Sequence, residues 1–499
     1  MDDVFVGVDV GTGSIRSVMY DAAGGRLAEA RRDLYNRYIA GGGAEQDADG
    51  WRTGMAATLR ECMDTAGIPR ESIRAIGLDG TSGTVVPVDQ DGSPLTRSLL
   101  WMDTRSHREM DAINATGDKV LEWAGGQTSS EWVISKILWI KNNLPDIYAK
   151  TWKFLEPPDF LLHHLTGELA SSYSNAVHKR HYVESEGGWP NRLLDSIGLA
   201  DLVGKWPTAV KRCWEPAGFV SGKAAAEFGL PEGIPVVNAG NDGPAAMIGL
   251  GVLRPGDIAA TFGTSTCFLF FHDAPSRVEG FWGPYPGGVF PDYYVYDVGL
   301  VSSGSVIEWL RRILFEDYAR NAGDNGFDLV RQAAEALPPG SGGIHVLDYW
   351  RGNRTPHNDP TVRGAIWGLS LEHRPEHLYR AILEATAFGA RQIFEIMRAN
   401  GMSTRRIAGG GGGSRNRLWM QIHADVLEQP IVVTQTAEAC ALGCSMGGAV
   451  AAGRYPDLME AAKHMVRDAE TIQPQGHFDQ YREAYEKYVL GYEKIKPLS

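Results

Sequence analysis

The chain has 499 residues, 43% of them hydrophobic and 22% charged, and a formal net charge of -13. That length exceeds one ordinary core and predicts two domains of roughly 200–250 residues. The acidic balance argues against a broad nucleic-acid face, and the apolar runs stop well short of the roughly 20 residues that cross a bilayer. Five cysteines (Cys62, Cys213, Cys267, Cys440, Cys444) form no paired framework. They predict reduced thiols in a cytoplasmic protein, and no metal site, since Cys440 and Cys444 have no ligand histidine nearby. The acidic start, Met1-Asp2-Asp3, lacks the basic region of a secretory signal.

In chain order, the valine-rich run Val4–Val10 predicts a buried strand, Gly11-Thr12-Gly13-Ser14 its turn, and Ile15–Asp21 the returning strand. Arg26–Arg32 predicts a third strand, Asp49–Ala66 a helix and Ile73–Leu78 a further strand ending at Asp79-Gly80-Thr81-Ser82. Helices are expected at Ile134–Asn142 and Leu155–Thr166, and Ser171–Trp189 reads as loop. Ile234–Val237 predicts a strand leading to Asp242, with a helix of small residues over Gly243–Gly249.

The domain boundary is placed at Gly251–Gly256, giving domains 1–250 and 251–499. The second half opens like the first: strand Asp257–Phe262, turn Gly263-Thr264-Ser265, strand Cys267–Phe271. Phe281–Tyr296 suggests a hairpin, Ser305–Leu314 a helix, and Leu378–Asn400 a long amphipathic helix. Ile407–Gly413 predicts a strand running into five glycines, before a helix at Leu418–Leu427 and a strand at Ile431–Thr434. Glu438–Gly453, dense in Ala and Gly, predicts a helix whose backbone approaches a neighbour closely. The repeated strand–turn–strand unit indicates internal duplication.

A Gly/Thr/Ser turn after a strand presents backbone N–H groups as a phosphate nest, and alone it is equally an ordinary hairpin turn. Two copies, Gly11-Thr12-Gly13-Ser14 and Gly263-Thr264-Ser265, favour phosphate. Asp9, beside the first, suits a Mg²⁺ ion between carboxylate and phosphate. Arg16 is either a phosphate contact or an outward strand residue. Asp242, among Gly240, Asn241 and Gly243, reads equally as a general base or a helix cap. Gly411, Gly412 and Asn416 precede a helix, where a flat base can lie against backbone. Trp101, Asp103, Lys179 and Asp297 are candidate sugar contacts or, read singly, core aromatics and surface charges.

These stretches together resemble the FGGY family of carbohydrate kinases. The most specific match is Gly364–Glu384; DVGTGSIRSV, LLWMDTRS, GNDGPAAMIGLG, GDIAATFGTST, GGGGGSRNRLW and ACALGCSMGGAVAAG extend it from residue 4 to about 453. The first family signature is kept at Lys136 and Trp139, with Val133 where a small hydroxyl or Pro is usual. Within the family the chain is most similar to ribulokinases, through GLDGTSGTVVPVD, HKRHYVESEGGWP and GNRTPHNDPTVRG.

The resemblance implies an α/β fold of two ribonuclease H-like, actin-like ATPase domains facing a cleft. It implies Mg·ATP-dependent phosphorylation of a terminal hydroxyl on an open-chain sugar, foremost a ketopentose such as ribulose. Asp242 is then the base, with Ser82, Lys179, Asn241 and Asp297 at the sugar. Asp297 stands for an expected Glu and Ser82 for a typical Ala. A tetritol, a pentitol or a quorum-signal sugar stays open as substrate, as does a chaperone- or actin-like ATPase of another class. The expected partner is a small sugar or polyol, not nucleic acid or membrane, and a homodimer fits the family.

Overall fold

The computed structural model describes residues 3–322, 326–359 and 361–498. The chain builds two large mixed sheets, each from its own half. In the first, Val4–Val10 (β1) pairs antiparallel with Ser14–Asp21 (β2), which pairs with Arg26–Asp33 (β3). Ile73–Gly80 (β4) lies parallel to β1 on its other side. Gly218–Phe219 (β5) and Pro235–Asn241 (β6) follow, with β6 parallel to β4. The sheet order is β5-β6-β4-β1-β2-β3. Every residue of β1 is buried, which is why it reads as a continuous apolar run rather than an alternating one.

The second sheet repeats the plan. Asp257–Phe262 (β7) pairs antiparallel with Thr266–His272 (β8), followed by Trp282–Pro286 (β9) and Tyr294–Leu300 (β10). Arg406–Gly410 (β11) is parallel to β7 and Ile431–Thr434 (β12) parallel to β11, with Asp468–Ile472 (β13) at the edge. Its order is β9-β10-β8-β7-β11-β12-β13. Thus β3-β2-β1-β4-β6 and β10-β8-β7-β11-β12 share one pattern: three antiparallel strands, then two parallel. The duplication read from the turns extends through both sheets.

The halves are joined by two helices of small residues, Asp242–Gly249 and Ala439–Ala451. A Cβ on Gly249 would fall 1.9 Å from the Ala439 carbonyl oxygen, and one on Gly443 2.0 Å from that of Ala245. The second helix also lies on the first sheet: a Cβ on Gly7 would stand 1.9 Å from the Ala441 carbonyl oxygen, and one on Gly77 2.3 Å from that of Cys444. The close approach expected of the 438–453 segment is therefore made to the other half of the chain.

Two local expectations change. Ser171–Trp189 is not all loop: Tyr173–Arg180 forms a helix capped by the Ser172 hydroxyl, which accepts from the Ser174 amide. Its sequence shows no apolar stripe because several of its buried positions are polar, Ser174, Asn175 and His178 among them. The glycine strand ends at Gly410; Gly411 turns with φ +83° into a short 3₁₀ turn at Gly412–Arg415. Among the described residues no helix is long and apolar enough to cross a membrane.

Candidate active site

The two Gly/Thr/Ser turns close in the same way. The Gly11 amide donates to the Ser14 carbonyl at 3.0 Å, and the Gly263 amide to the Ser265 carbonyl at 2.9 Å. Among the described residues the amides of Thr12, Gly13, Thr264 and Ser265 have no protein acceptor. Gly263 and Thr264 border a cavity of about 690 Å³ that extends to Gly412, Gly413 and Asn416. A Cβ on Gly412 would meet nothing within 4 Å, whereas one on Gly411 would stand 2.7 Å from the Phe262 carbonyl oxygen. Asn416 caps the helix Arg417–Leu427, accepting from the Trp419 amide at 3.2 Å and donating to the Tyr379 hydroxyl at 2.7 Å.

Three carboxylates gather at the carboxyl edge of the first sheet, where α/β sheets bind ligands. Asp9 and Asp79 are in-register partners on β1 and β4, and Asp242 begins the helix that follows β6. Burial raises the Asp9 pKa against the opposing pull of Arg16. Burial, then the nearby Asp9 charge, holds Asp79 well above its ordinary 3.8. Asp242 is pushed up to about 7, by burial and then by Asp9, with the Gly243 amide and Lys179 pulling the other way. Part of its surface stays exposed. Asp79 carried no role in the sequence reading. The available signal was its place at the end of a strand parallel to β1, followed by the same Gly/Thr/Ser-rich chemistry.

Arg16 donates through Nη1 to Glu438 at 2.8 Å and to Asp9 at 3.4 Å, tying the first turn to the second half. The Trp101 indole donates to the Thr12 hydroxyl at 2.9 Å and lies half-buried beside the turn. Lys179, Asp297 and Asp242 are electrostatic neighbours, and all three are partly exposed. Asp297 is ion-paired to Arg354 at 2.7 Å. The Asn241 side chain caps the following helix, accepting from the Gly243 amide at 3.0 Å.

Asp103, a candidate sugar contact in the sequence, is buried among backbone and guanidinium donors. It has no exposed surface, and its oxygens accept from the Ala44 amide and from the backbone and guanidinium of Arg105. Ser82 is buried with its hydroxyl on Glu156 Oε1 at 3.4 Å; the Gly83 amide donates to the same oxygen at 2.7 Å. Lys136 underlies this wall. Its Nζ donates to the carbonyls of Gly83 (2.7 Å), Leu100 (2.6 Å), Trp101 (2.9 Å) and Glu131 (2.9 Å), binding together three segments that face the cleft.

Two ribonuclease H-like halves, joined by closely packed helices of small residues, have the two-domain architecture of actin-like ATPases. The N-terminal domain of the FGGY family of carbohydrate kinases matches residues 4–249, and that family's C-terminal domain matches residues 258–452. The chain belongs to this family, whose members transfer phosphoryl groups from ATP to sugars. A ribulokinase of Halalkalibacterium halodurans is 31% identical over 97% of this chain and 93% of its own. A xylulose kinase of Bacillus subtilis is 27% identical over 99% of this chain and 97% of its own. The solved structure of a xylulose kinase from Rhodospirillum rubrum superposes with a TM-score of 0.85 at 26% identity, covering 99% of each chain.

Proposed function

We propose that this kinase phosphorylates a terminal hydroxyl of an open-chain ketopentose, of which ribulose is the leading candidate. The observation that carries the reading is the position of Asp242. The charges of Asp9, beside the first phosphate turn, and of Lys179 and Asp297 all act on it. Residues 1–250 then supply the base and most sugar contacts, and residues 251–499 hold the nucleotide. The base of ATP lies toward Gly411 and Gly412, and the amides of Thr12, Gly13, Thr264 and Ser265 receive phosphate oxygens. Asp242 accepts the hydroxyl proton as the new O–P bond forms and the γ-phosphoryl leaves ADP. Closure of the halves excludes water from that transfer.

Mg²⁺ fits the donor chemistry here. Asp9 offers a hard carboxylate oxygen, and among the described residues no cluster of three or more His, Cys, Asp or Glu forms a closed cage. Asp9, beside the first phosphate turn, would then be the ion's protein ligand. Bound there, it supplies neutralisation of charge on the phosphates.

The test is ADP release by the full-length protein over a panel of ketopentoses, pentitols and tetritols. Turnover highest with a ketopentose supports the reading. Preference for a polyol moves it to that substrate, and equal turnover without sugar replaces it with an ATPase.

A further inference from the structure

Four charged side chains, two from each half, interact electrostatically with one another. The first half gives Glu131 and Lys179; the second gives Asp297, on β10, and Arg354, on the loop that follows Asp348. All four are partly exposed. Charge alternates among them: Lys179 and Arg354 each feel both Glu131 and Asp297.

Several contacts are unfilled. Lys179 Nζ lies 5.1 Å above the Trp132 ring and makes no hydrogen bond among the described residues. Asp297 Oδ1 is buried without a hydrogen-bond partner, while Oδ2 is taken by Arg354 at 2.7 Å. Beyond Asp297, the Arg354 guanidinium has no hydrogen-bond acceptor among the described residues. Its loop is fixed to the second half. The Thr355 hydroxyl donates to the Gly280 carbonyl at 3.2 Å, and Asn353 Oδ1 accepts from the His357 amide at 2.9 Å. Trp132 and Trp282 meet across the same wall with ring centroids 5.1 Å apart.

A sugar hydroxyl donates and accepts at once, so a row of hydroxyls matches alternating cations and carboxylates. We propose that Arg354 and Glu131 contact the substrate: with Lys179 and Asp297 they form a cradle for the hydroxyls that are not phosphorylated, and they set specificity for a hydroxyl-rich chain. The inference rests on the kinase reading above and extends it to two residues given no role there. Because each half contributes one cation and one carboxylate, the cradle is built by both halves together. A substrate lacking those hydroxyls leaves the charges unmatched and is rejected.

The test uses full-length Arg354→Met, Arg354→Lys, Glu131→Gln and Arg354→Met/Asp297→Asn, checked by circular dichroism. Sugar KM is read in the ADP-release assay and sugar Kd by calorimetry, with the panel member that wild type handles best. Both constants should rise about tenfold or more in Arg354→Met and Glu131→Gln, with KM for ATP within about twofold. Arg354→Lys should recover part of the loss. If Arg354 only neutralises Asp297, the double variant regains wild-type sugar affinity, and the proposal falls. It falls too if folded Arg354→Met binds sugar normally. Wild type that binds a sugar without phosphorylating it sinks the kinase reading, and the Kd comparison still decides the cradle. Wild type that neither binds nor phosphorylates any panel member overturns both.

Discussion

The Cys444 thiol donates to Asp79 Oδ2 across 3.0 Å, joining the helix Ala439–Ala451 of the second half to β4 of the first. Asp79 has no exposed surface, and its other carboxylate oxygen has no hydrogen-bond partner. A carboxyl placed between Asp9 and a thiol, where burial and then the Asp9 charge raise its pKa well above 3.8, holds its proton more readily than an exposed aspartate. It belongs to the hinge of the two halves as much as to the site.

Asp79→Asn should therefore fold and keep turnover within about tenfold of wild type, the loss of about one buried hydrogen bond. The sign of its pH dependence follows from linkage. The folded pKa lies above the unfolded 3.8, so the unfolded chain releases its proton first and this group's contribution to stability falls as pH rises above 3.8. The variant lacks that loss. Its melting temperature relative to wild type should climb as pH rises above 3.8, and a flat difference would show that Asp79 ionises normally.

Asp242 gives a kinetic prediction. A base must be unprotonated, so sugar kcat/KM of wild type should fall as pH drops below about 7. Asp242→Asn should lose more than about a hundredfold in sugar-dependent ADP release and should lack that acidic limb. It should also melt higher than wild type above about pH 7, because the charged carboxylate is disfavoured by burial beside Asp9. Steady-state rates and scanning calorimetry check the two statements separately.

Lys136 predicts a structural loss. Lys136→Met keeps the apolar stem but leaves the carbonyls of Gly83, Trp101 and Glu131 without their shared donor, while the Leu100 carbonyl keeps the Asp103 amide. Each buried unpaired acceptor costs about 1–3 kcal/mol, so a total loss of about 3–5 kcal/mol is expected after local relaxation. Denaturant titration measures it, and a midpoint within error of wild type would show that the carbonyls find other partners.

Gly412 separates nucleotide binding from folding. Open space surrounds it, so Gly412→Val should leave the melting temperature near wild type while its side chain enters the cavity shared with Gly263 and Asn416. KM for ATP should rise about tenfold or more, the cost of displacing a flat ligand from close backbone contact, with sugar KM little changed. Nucleotide titrations against fixed sugar provide the check.

Much of this was legible before any coordinates. Both strand–turn–strand openings were readable because buried parallel strands are uninterrupted runs of Val, Ile and Ala that end at Gly. Asp9 and Asp242 stood out because each carboxylate adjoins a glycine turn. The small-residue segment at Glu438–Gly453 announced a close approach, although not to which partner.

Local pattern alone determined the duplicated architecture, the two turns and a carboxylate at the end of a strand, since each is written in neighbouring residues. Only the tertiary structure decided that Asp79 shares the carboxylate cluster, that Asp103 is consumed by Arg105 and Ala44, and that Arg354 stands against Asp297. Those relationships join residues on different strands, loops and halves. They are set by sheet register and by the seating of one small-residue helix on the opposite half, neither of which has a period that one segment of sequence can display.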